Sequence, residues 1–409
     1  MLKHLLWLMM AFALVGQQAL LKILGVPLGP GWDALVPGLA IFGAAFILSW
    51  AAELAQKEIP QTLALAFLAL VAVLPEYAVD LHLAWSAASN PEDLPLACAN
   101  MTGANRLLIG LGWPVVLFAY WFTTKKKVIE LEPTHRIELL ALLAATFYSF
   151  FIPMKGTISL IDSVMLLVIF ILYLVAASRT HHTEPELEGP VELFSQGSRL
   201  YCCLITILFF VLAGYTIYIS AEPFVDGLKV AGKSWGIDQY LMIQWIAPLA
   251  SESPEFIVAI IFATRAMAGA SLGTLISSKV NQWTLLIASL PIAYTLAGGS
   301  IWGMKLDNQQ VEEIFLTAAQ SLFAIFVLSN FRFSLLEAFV LLILFSTQLI
   351  IPLVFPIIFP EMPVEQLKNL EIKARLAYGG LYIALSVLMI MLSHNRRNAV
   401  LGLIKPRQK

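Results

Sequence analysis

The chain has 409 residues, of which 59% are hydrophobic and only 13% are charged. A soluble domain carries about a quarter charged residues, so this chain has too little polar surface for water and is predicted to be an integral membrane protein. The formal net charge of −2 and the lack of a basic stretch interleaved with aromatic residues exclude nucleic acid as a partner.

Apolar segments of about 20 residues, the length that crosses a bilayer, recur along the whole chain. They predict an all-α polytopic membrane protein of about twelve transmembrane helices. The predicted spans are 5–25, 33–55, 61–88, 95–122, 136–153, 157–178, 199–221, 237–264, 269–297, 312–330, 333–358 and 373–393. The first span follows Lys3 and resembles a signal peptide, but no clear cleavage site follows it, so we expect a retained helix.

A polar segment divides the predicted spans six and six. The sequence therefore predicts a first membrane half at 1–178, a cytoplasmic linker at 179–198 and a second membrane half at 199–409. The linker contains His181 and His182 among acidic residues; we interpret it as a solvated loop rather than a metal site, because no second ligand cluster is visible. Cys202 and Cys203 lie in an apolar run without metal-ligand spacing and are predicted to be core residues.

Lysine and arginine in short loops predict the orientation, because such loops are retained on the cytoplasmic side. An even number of spans places the loop with Lys125, Lys126 and Lys127 on the same side as Arg179 and both termini. Both termini and the linker are therefore predicted to be cytoplasmic, in a plasma membrane or a bacterial inner membrane. Fewer basic residues oppose this orientation: Lys229, Lys233, Lys368, Lys373 and Arg375.

Two predicted spans at corresponding positions of the two halves contain a proline followed by glutamate. The third span reads AVLPE at 72–76, and the eighth reads SESPE at 251–255. Proline removes a backbone donor, so Pro75 and Pro254 are predicted to interrupt their helices within the membrane. An intramembrane carboxylate costs about 2.5 kcal/mol or more and is functional by default. Freed carbonyls beside Glu76 and Glu255 form an oxygen-rich pocket that suits a hard cation, with these two carboxylates as the expected metal ligands.

The span after each Pro-Glu pair carries small and polar residues, reading NMTGANRLL at 100–108 and TLISSKVNQ at 274–282. Together the two pairs of segments, near 61–122 and 237–297, resemble the α-repeats of the sodium/calcium exchanger family, within the cation/calcium antiporter superfamily. There each repeat carries G-T-S-x-P-E on one helix and G-S-N-x-x-N/D on the next. The resemblance implies two inverted five-helix repeats, and hence one additional helix at each end of this chain.

The resemblance also implies site residues in the second repeat. Ser251 falls on the motif threonine, Glu252 on its serine and Glu255 on the liganding glutamate. Ser278 falls on the serine of the following motif and Gln282 on its last position. Four of these five positions, all except Glu252, keep an oxygen-bearing side chain like that of the motif. At the fifth position Glu252 adds a further carboxylate.

The first repeat keeps Glu76 but has lost most of the other ligands. With the alignment shifted by one residue, Asn105 and Thr102 return as candidates. Ordinary sodium/calcium exchange is therefore not the expected activity, although the fold is the expected fold. The replaced positions are Ala72, Val73, Ala104 and Leu108.

Among the other charged residues inside predicted spans, three lie in or close to the motif segments. Asp80 is one turn beyond Glu76 and is interpreted either as a second proton or ion carrier or as a group near the membrane surface. Lys279 replaces the first asparagine of the second motif, where its ammonium can take the place of a lost Na⁺ and compensate nearby carboxylates, or extend toward an interface. Arg106 is expected on the far side of its helix, in a structural or interfacial role.

These observations lead to two functional hypotheses. The first is a secondary active cation antiporter that exchanges Ca²⁺ or another small cation for Na⁺ or H⁺ by alternating access, with inorganic cations and the lipid bilayer as partners and no cofactor. The alternative is a transport-inactive membrane partner or sensor that keeps the exchanger fold. An enzyme is not expected, because the sequence contains no H-E-x-x-H or G-x-S-x-G motif.

Overall fold

The computed structural model describes residues 2–25, 28–29, 31–56, 74–179, 189–195 and 197–404. Ten helical stretches within these ranges are long and apolar enough to cross a membrane. The two other predicted spans are 61–88 and 269–297. Residues 74–86 are helical in the first of them, and residues 268–296 are helical in the second. Residues 61–73 of the predicted third span, including Ala72 and Val73, and the linker residues His181 and His182 lie outside the described residues.

The helices of the first half follow the predicted spans closely. They are α1 (Leu2–Leu24), α2 (Trp32–Gln56), α3 (Leu74–Ser86), α4 (Asp93–Leu107), α5 (Trp113–Thr124), α6 (Arg136–Ser149), α7 (Phe151–Lys155) and α8 (Leu160–Ala177). A short helix, α9 (Glu192–Ser195), follows in the polar segment, and short 3₁₀ turns lie at Pro133–His135 and Gly189–Val191.

The second half has a similar series of helices. They are α10 (Arg199–Trp235), α11 (Gln239–Leu241), α12 (Ala247–Thr264), α13 (Ala268–Asn281), α14 (Ile287–Leu296), α15 (Asn308–Leu328), α16 (Leu335–Ile358), α17 (Val364–Leu392) and α18 (His394–Ile404). Three π-helical turns join α4 to α5, α11 to α12 and α13 to α14, at Leu108–Gly112, Met242–Ile246 and Gln282–Leu286.

Four short strands pair the loops between helices. Strand β1 (Val128–Glu130) is antiparallel to β4 (Arg332–Ser334), with Val128 opposite Ser334. Strand β2 (Thr157–Ile158) is antiparallel to β3 (Met304–Lys305), with Thr157 opposite Lys305. Each pair therefore ties a loop of the first half to a loop of the second.

The chain forms two compact units, and each draws on both halves of the sequence. Unit 1 comprises Met1–Asn100 and Leu174–Glu255, and unit 2 comprises Met101–Tyr173 and Phe256–Lys409. The boundaries fall inside α4, α8 and α12 rather than in the polar segment. The compact units are therefore a different division of the chain from the predicted halves.

Unit 1 is organised around α2 and α10, the first helix of each repeat, which pack along each other. Glycine permits their close approach: a Cβ on Gly227 would lie 2.3 Å from the carbonyl oxygen of Asp33, and one on Gly38 would lie 2.8 Å from the ring of Phe224. Small residues at helix contacts are the usual means of close packing in membranes. The additional N-terminal helix α1 packs against α2.

Unit 2 is organised around α15, which packs against α6 and against the additional C-terminal helix α17. A buried charge cluster lies among these helices. Arg106 on α4 pairs with Glu313, and Arg375 on α17 lies 2.7 Å from Glu312 and 3.5 Å from Glu313. All four side chains are buried, so each charge is stabilised by its neighbour rather than by water.

The cluster explains the positions of two arginines, Arg106 and Arg375, whose charges the sequence predictions included. Arg106 has the structural position that was expected. Arg375 was counted among the loop charges that oppose the predicted orientation, but its guanidinium is buried in this cluster within α17. It is therefore not a loop charge and does not count against that orientation.

Candidate cation-binding site

Each repeat has a π-helical turn in unit 2, at Leu108–Gly112 and at Gln282–Leu286. Superposing these two turns gives an alignment of the repeats that does not depend on the motifs. In one repeat the turn begins at Leu108, three residues after Asn105; in the other it begins at Gln282, three residues after Lys279. Asn105 and Lys279 are therefore equivalent positions, as are Leu108 and Gln282. This is the same alignment that the motif comparison uses, and π-turns often occur at functional sites.

Lys279 is fully buried, and its ammonium is held by the equivalent residue of the other repeat. Its Nζ donates to Asn105 Oδ1 at 2.6 Å and to the Asn105 carbonyl oxygen at 3.2 Å. The Asn105 amide donates in turn to the Met101 carbonyl at 2.8 Å, which orients its oxygen toward the lysine. The ammonium also lies over the ring of Trp283, 4.5 Å from its centroid.

These contacts argue against the interpretation that Lys279 extends toward an interface, whereas its charge-compensating role stays a prediction. A lysine that extends toward an interface keeps its ammonium in water. Here the ammonium is inside unit 2, among an amide oxygen, a backbone carbonyl and an aromatic face. Lys279 therefore contributes a fixed positive charge beside the second-repeat motif positions.

Ser278 and Gln282, the other motif positions of unit 2, are buried on either side of Lys279 along the helix. Their counterparts in the first repeat, Ala104 and Leu108, are buried apolar side chains. The first repeat thus places hydrocarbon where the family motif places oxygen, as its sequence indicates.

The candidate carboxylates all belong to unit 1. Glu76 and Asp80 on α3 and Glu252 on α12 are buried, and Glu255 is half-buried. Ser251 is buried as well, and its hydroxyl donates within its own helix, to the carbonyl of Ala247 at 3.2 Å or of Pro248 at 3.3 Å. Unit 1 therefore holds the anionic candidates and the Ser251 hydroxyl, and unit 2 holds the Ser278 hydroxyl together with the amide and ammonium candidates.

The predicted helix break at Pro254 is not present. Helix α12 runs from Ala247 to Thr264 through the proline without interruption. A proline removes one backbone hydrogen bond, and packing within a helix bundle can compensate for this loss. The departure from α-helical pairing occurs earlier, at the π-turn Met242–Ile246. Pro75 is the second residue of α3, and the residues that precede α3 lie outside the described ranges.

Two polar features of the structure were not predicted from the sequence. Asn100 is fully buried and interacts with Asp80, but its position in the small-residue segment drew no attention. Glu312 and Glu313 were not singled out either, although two carboxylates at the start of an apolar span were a usable signal. No group of three or more histidine, cysteine, aspartate or glutamate side chains placed to hold a metal ion occurs in the described part of the chain.

Comparison with known proteins identifies a family over both halves. A family model described as "Sodium/calcium exchanger protein" matches residues 34–179 and 205–354, which is more than half of the chain. No curated protein sequence matches the chain.

Several solved structures have the same fold. The H⁺/Ca²⁺ exchanger CAX is 38% identical, with a TM-score of 0.89, and the match covers 98% of this chain and 96% of CAX. YfkE is 14% identical, with a TM-score of 0.62 and coverage of 84% and 98%. The sodium-calcium exchanger NCX_Mj is 18% identical, with a TM-score of 0.51 and coverage of 77% and 95%. The all-α polytopic fold that the motifs implied is therefore confirmed.

Proposed function

Because the chain belongs to the sodium/calcium exchanger family, we propose that it is a secondary antiporter that exchanges Ca²⁺ for H⁺ by alternating access. The observation that carries the proposal is the pair of glutamates, Glu76 and Glu255, each directly after a proline at equivalent positions of the two repeats. Glu76 is buried and Glu255 half-buried, within helices of a membrane protein. Carboxylates in such positions mark ion pathways.

Calcium is the proposed substrate because carboxylate oxygens are the ligands that this hard cation prefers. In this proposal Glu76 and Glu255 bind the transported ion, with Glu252 and Ser251 of the same unit as further oxygen ligands. When Ca²⁺ leaves, the two carboxylates take up protons, because charged carboxylates without a cation are costly in a dry site. The same groups thus bind either ion, which couples the two fluxes.

Protons rather than Na⁺ are proposed as the counter-ion because of two features. The first repeat has Ala104 and Leu108 at positions where the family motif has oxygen ligands. In the second repeat Lys279 places its amino group, a covalently attached cationic group when protonated, where the family motif has an asparagine, so it can take the place of a bound monovalent cation. A relative with 38% identity that is described as an H⁺/Ca²⁺ exchanger supports the same choice.

The test is Ca²⁺ uptake into proteoliposomes that contain the purified protein. We expect uptake when the lumen is more acidic than the bath, and no uptake when an outward Na⁺ gradient replaces the pH gradient. Glu76→Gln and Glu255→Gln should each reduce the rate to that of empty liposomes. Glu361→Gln, which changes an exposed glutamate in the same way, should transport at the wild-type rate. Wild-type uptake driven by Na⁺ alone would contradict the choice of counter-ion.

The apolar replacements in the first repeat favour one other function, a transport-inactive protein that keeps the fold as a membrane partner or sensor. That function predicts no saturable flux of any of the ions Ca²⁺, Na⁺, K⁺ or H⁺. It also predicts that Ca²⁺ does not raise the thermal unfolding temperature of the purified protein, because a ligand stabilises only a protein that binds it. A saturable Ca²⁺ flux would exclude this alternative.

A further inference from the structure

Asp80 is a buried carboxylate that the exchanger motifs do not account for. It follows Glu76 by four residues on α3, so the two side chains project from the same face of the helix. The second repeat has Ala259 at the corresponding position. Asp80 is 0% exposed, deep in unit 1.

The surroundings of Asp80 are polar but incompletely hydrogen-bonded. Asn100 on α4, also 0% exposed, is the side chain that interacts with the carboxylate. Apart from this interaction with each other, the Asp80 carboxylate oxygens and the Asn100 amide atoms have no hydrogen-bond partner within the described chain. Buried polar atoms are normally fully satisfied, so two buried side chains that have only each other as partners require an explanation.

Among the residues that the structure describes, Asp80 has no basic partner. Tyr77, on the same helix, is close enough to interact electrostatically with both Glu76 and Asp80. On α10, which packs against α3, the charged groups Glu222, Asp226 and Lys229 surround His82 instead.

The basic group Lys229 is already engaged elsewhere. Its ammonium donates to Asp93 at 2.7 Å. Helix α2, which also packs against α3, carries Glu53, a further acidic group. The described side chains named here therefore add negative charge and a hydroxyl near Asp80 rather than a neutralising cation.

We propose that Asp80 and Asn100 form a second proton-binding site, separate from the Glu76 and Glu255 ligands. The inference rests on the proposed function, because it assigns one of the protons that are exchanged for Ca²⁺. One carboxylate and one amide provide fewer oxygen atoms than the six to eight that Ca²⁺ takes, whereas a proton needs a single acceptor. In the protonated state the Asp80 O–H donates to Asn100 Oδ1, which satisfies an atom of each residue. Release of the proton leaves the Asp80 carboxylate.

Infrared difference spectroscopy on the purified full-length protein tests the site without relying on transport. A buried protonated carboxyl group has a C=O band that titrates with pH. We expect one component of this band to belong to Asp80 in the wild type. It should be lost in Asp80→Asn, while the components of Glu76 and Glu255 remain, and it should be displaced in Asn100→Leu, which removes the acceptor. The matched control, Asp226→Asn, changes an aspartate that is exposed on α10 and should leave the band in place.

Transport measurements test the role of the site. The number of protons exchanged per Ca²⁺ follows from the Ca²⁺ gradient at which net flux stops, measured at several pH gradients. Asp80→Asn mimics the protonated group but cannot release its proton. We therefore expect continued Ca²⁺ transport in which one fewer proton is exchanged per Ca²⁺. Asp226→Asn should keep the wild-type ratio.

The two arms separate the failure of the inference from the failure of the proposed function. An unchanged band and an unchanged coupling ratio in Asp80→Asn would overturn the inference while leaving the antiporter intact. Absence of flux in the wild type would overturn the proposed function, and the infrared band would then decide alone whether Asp80 binds a proton. If Asp80→Asn does not fold, the displacement of the band in Asn100→Leu decides instead.

Discussion

Lys279 shows how a single replacement can change the chemistry of a repeat motif. An asparagine at this position offers a neutral amide, whereas the lysine brings a charge that must be compensated inside the protein. Asn105 stabilises the lysine ammonium with two oxygen atoms that accept hydrogen bonds from it, at 2.6 and 3.2 Å. Since both residues lie three positions before a π-turn, the contact joins equivalent points of the two repeats. The fixed charge is therefore part of the core of unit 2.

The buried pair of Arg106 and Glu313 leads to a prediction about stability. Removing one partner of a buried ion pair leaves an uncompensated charge and costs about 3–5 kcal/mol. Glu313→Leu should therefore lower the free energy of unfolding strongly, and the double variant Arg106→Met/Glu313→Leu should recover part of the loss, because it removes both charges. The measurement is thermal unfolding of purified protein in detergent.

An exposed ion pair provides the matched control. Glu130 and Arg332 are 3.2 Å apart, and both are mainly exposed. Exposed pairs contribute about 0–1 kcal/mol, so Glu130→Leu should shift the unfolding temperature little. If both leucine variants lose the same stability, the buried cluster is not stabilised as we describe.

At the scale of elements, the contact between α2 and α10 depends on glycine. A Cβ on Gly227 would meet the backbone of Asp33 at 2.3 Å, and backbone atoms cannot move aside as a flexible side chain can. We predict that Gly227→Ala separates the two helices and costs at least about 1–3 kcal/mol, the usual penalty of overpacking. Thermal unfolding of the purified variant measures this loss.

Gly214, on the same helix α10, is the control for this prediction. A Cβ there meets nothing within 4 Å. Gly214→Ala should be neutral or stabilising by up to about 1 kcal/mol, because alanine favours helix over glycine. Equal effects of the two substitutions would show that the close approach at Gly227 does not limit the packing.

For the whole molecule, the distribution of basic residues predicts the orientation in the membrane. With twelve spans, both termini lie on the side of Lys125, Lys126 and Lys127, which we predict to be the cytoplasm. A green fluorescent reporter that folds only in the cytoplasm should therefore fluoresce when it is fused after the last residue.

The same reporter fused after Trp302, in the loop before α15, lies on the opposite side and should remain dark. This truncated fusion is the matched control, since it differs by an odd number of spans. Fluorescence of the Trp302 fusion together with a dark C-terminal fusion would invert the predicted orientation.

The sequence alone was sufficient to predict the membrane class, the positions of the spans and the family. Apolar runs of bilayer length are a local property of the chain, and so are the Pro-Glu pairs around Pro75 and Pro254. The alignment of Ser278 and Gln282 with the motif was also local information. The π-turns, which begin at Leu108 and Gln282, agree with that alignment.

Only the tertiary structure decided which polar groups meet. Asn105 and Lys279 are 174 residues apart, and Arg106 reaches a carboxylate on α15, so no local pattern contains either contact. The prediction that Pro254 interrupts its helix was wrong, because a helix can survive a missing hydrogen bond when its neighbours support it. A chain specifies hydrophobicity residue by residue, but the compensation of a buried charge depends on a partner that folding brings to it.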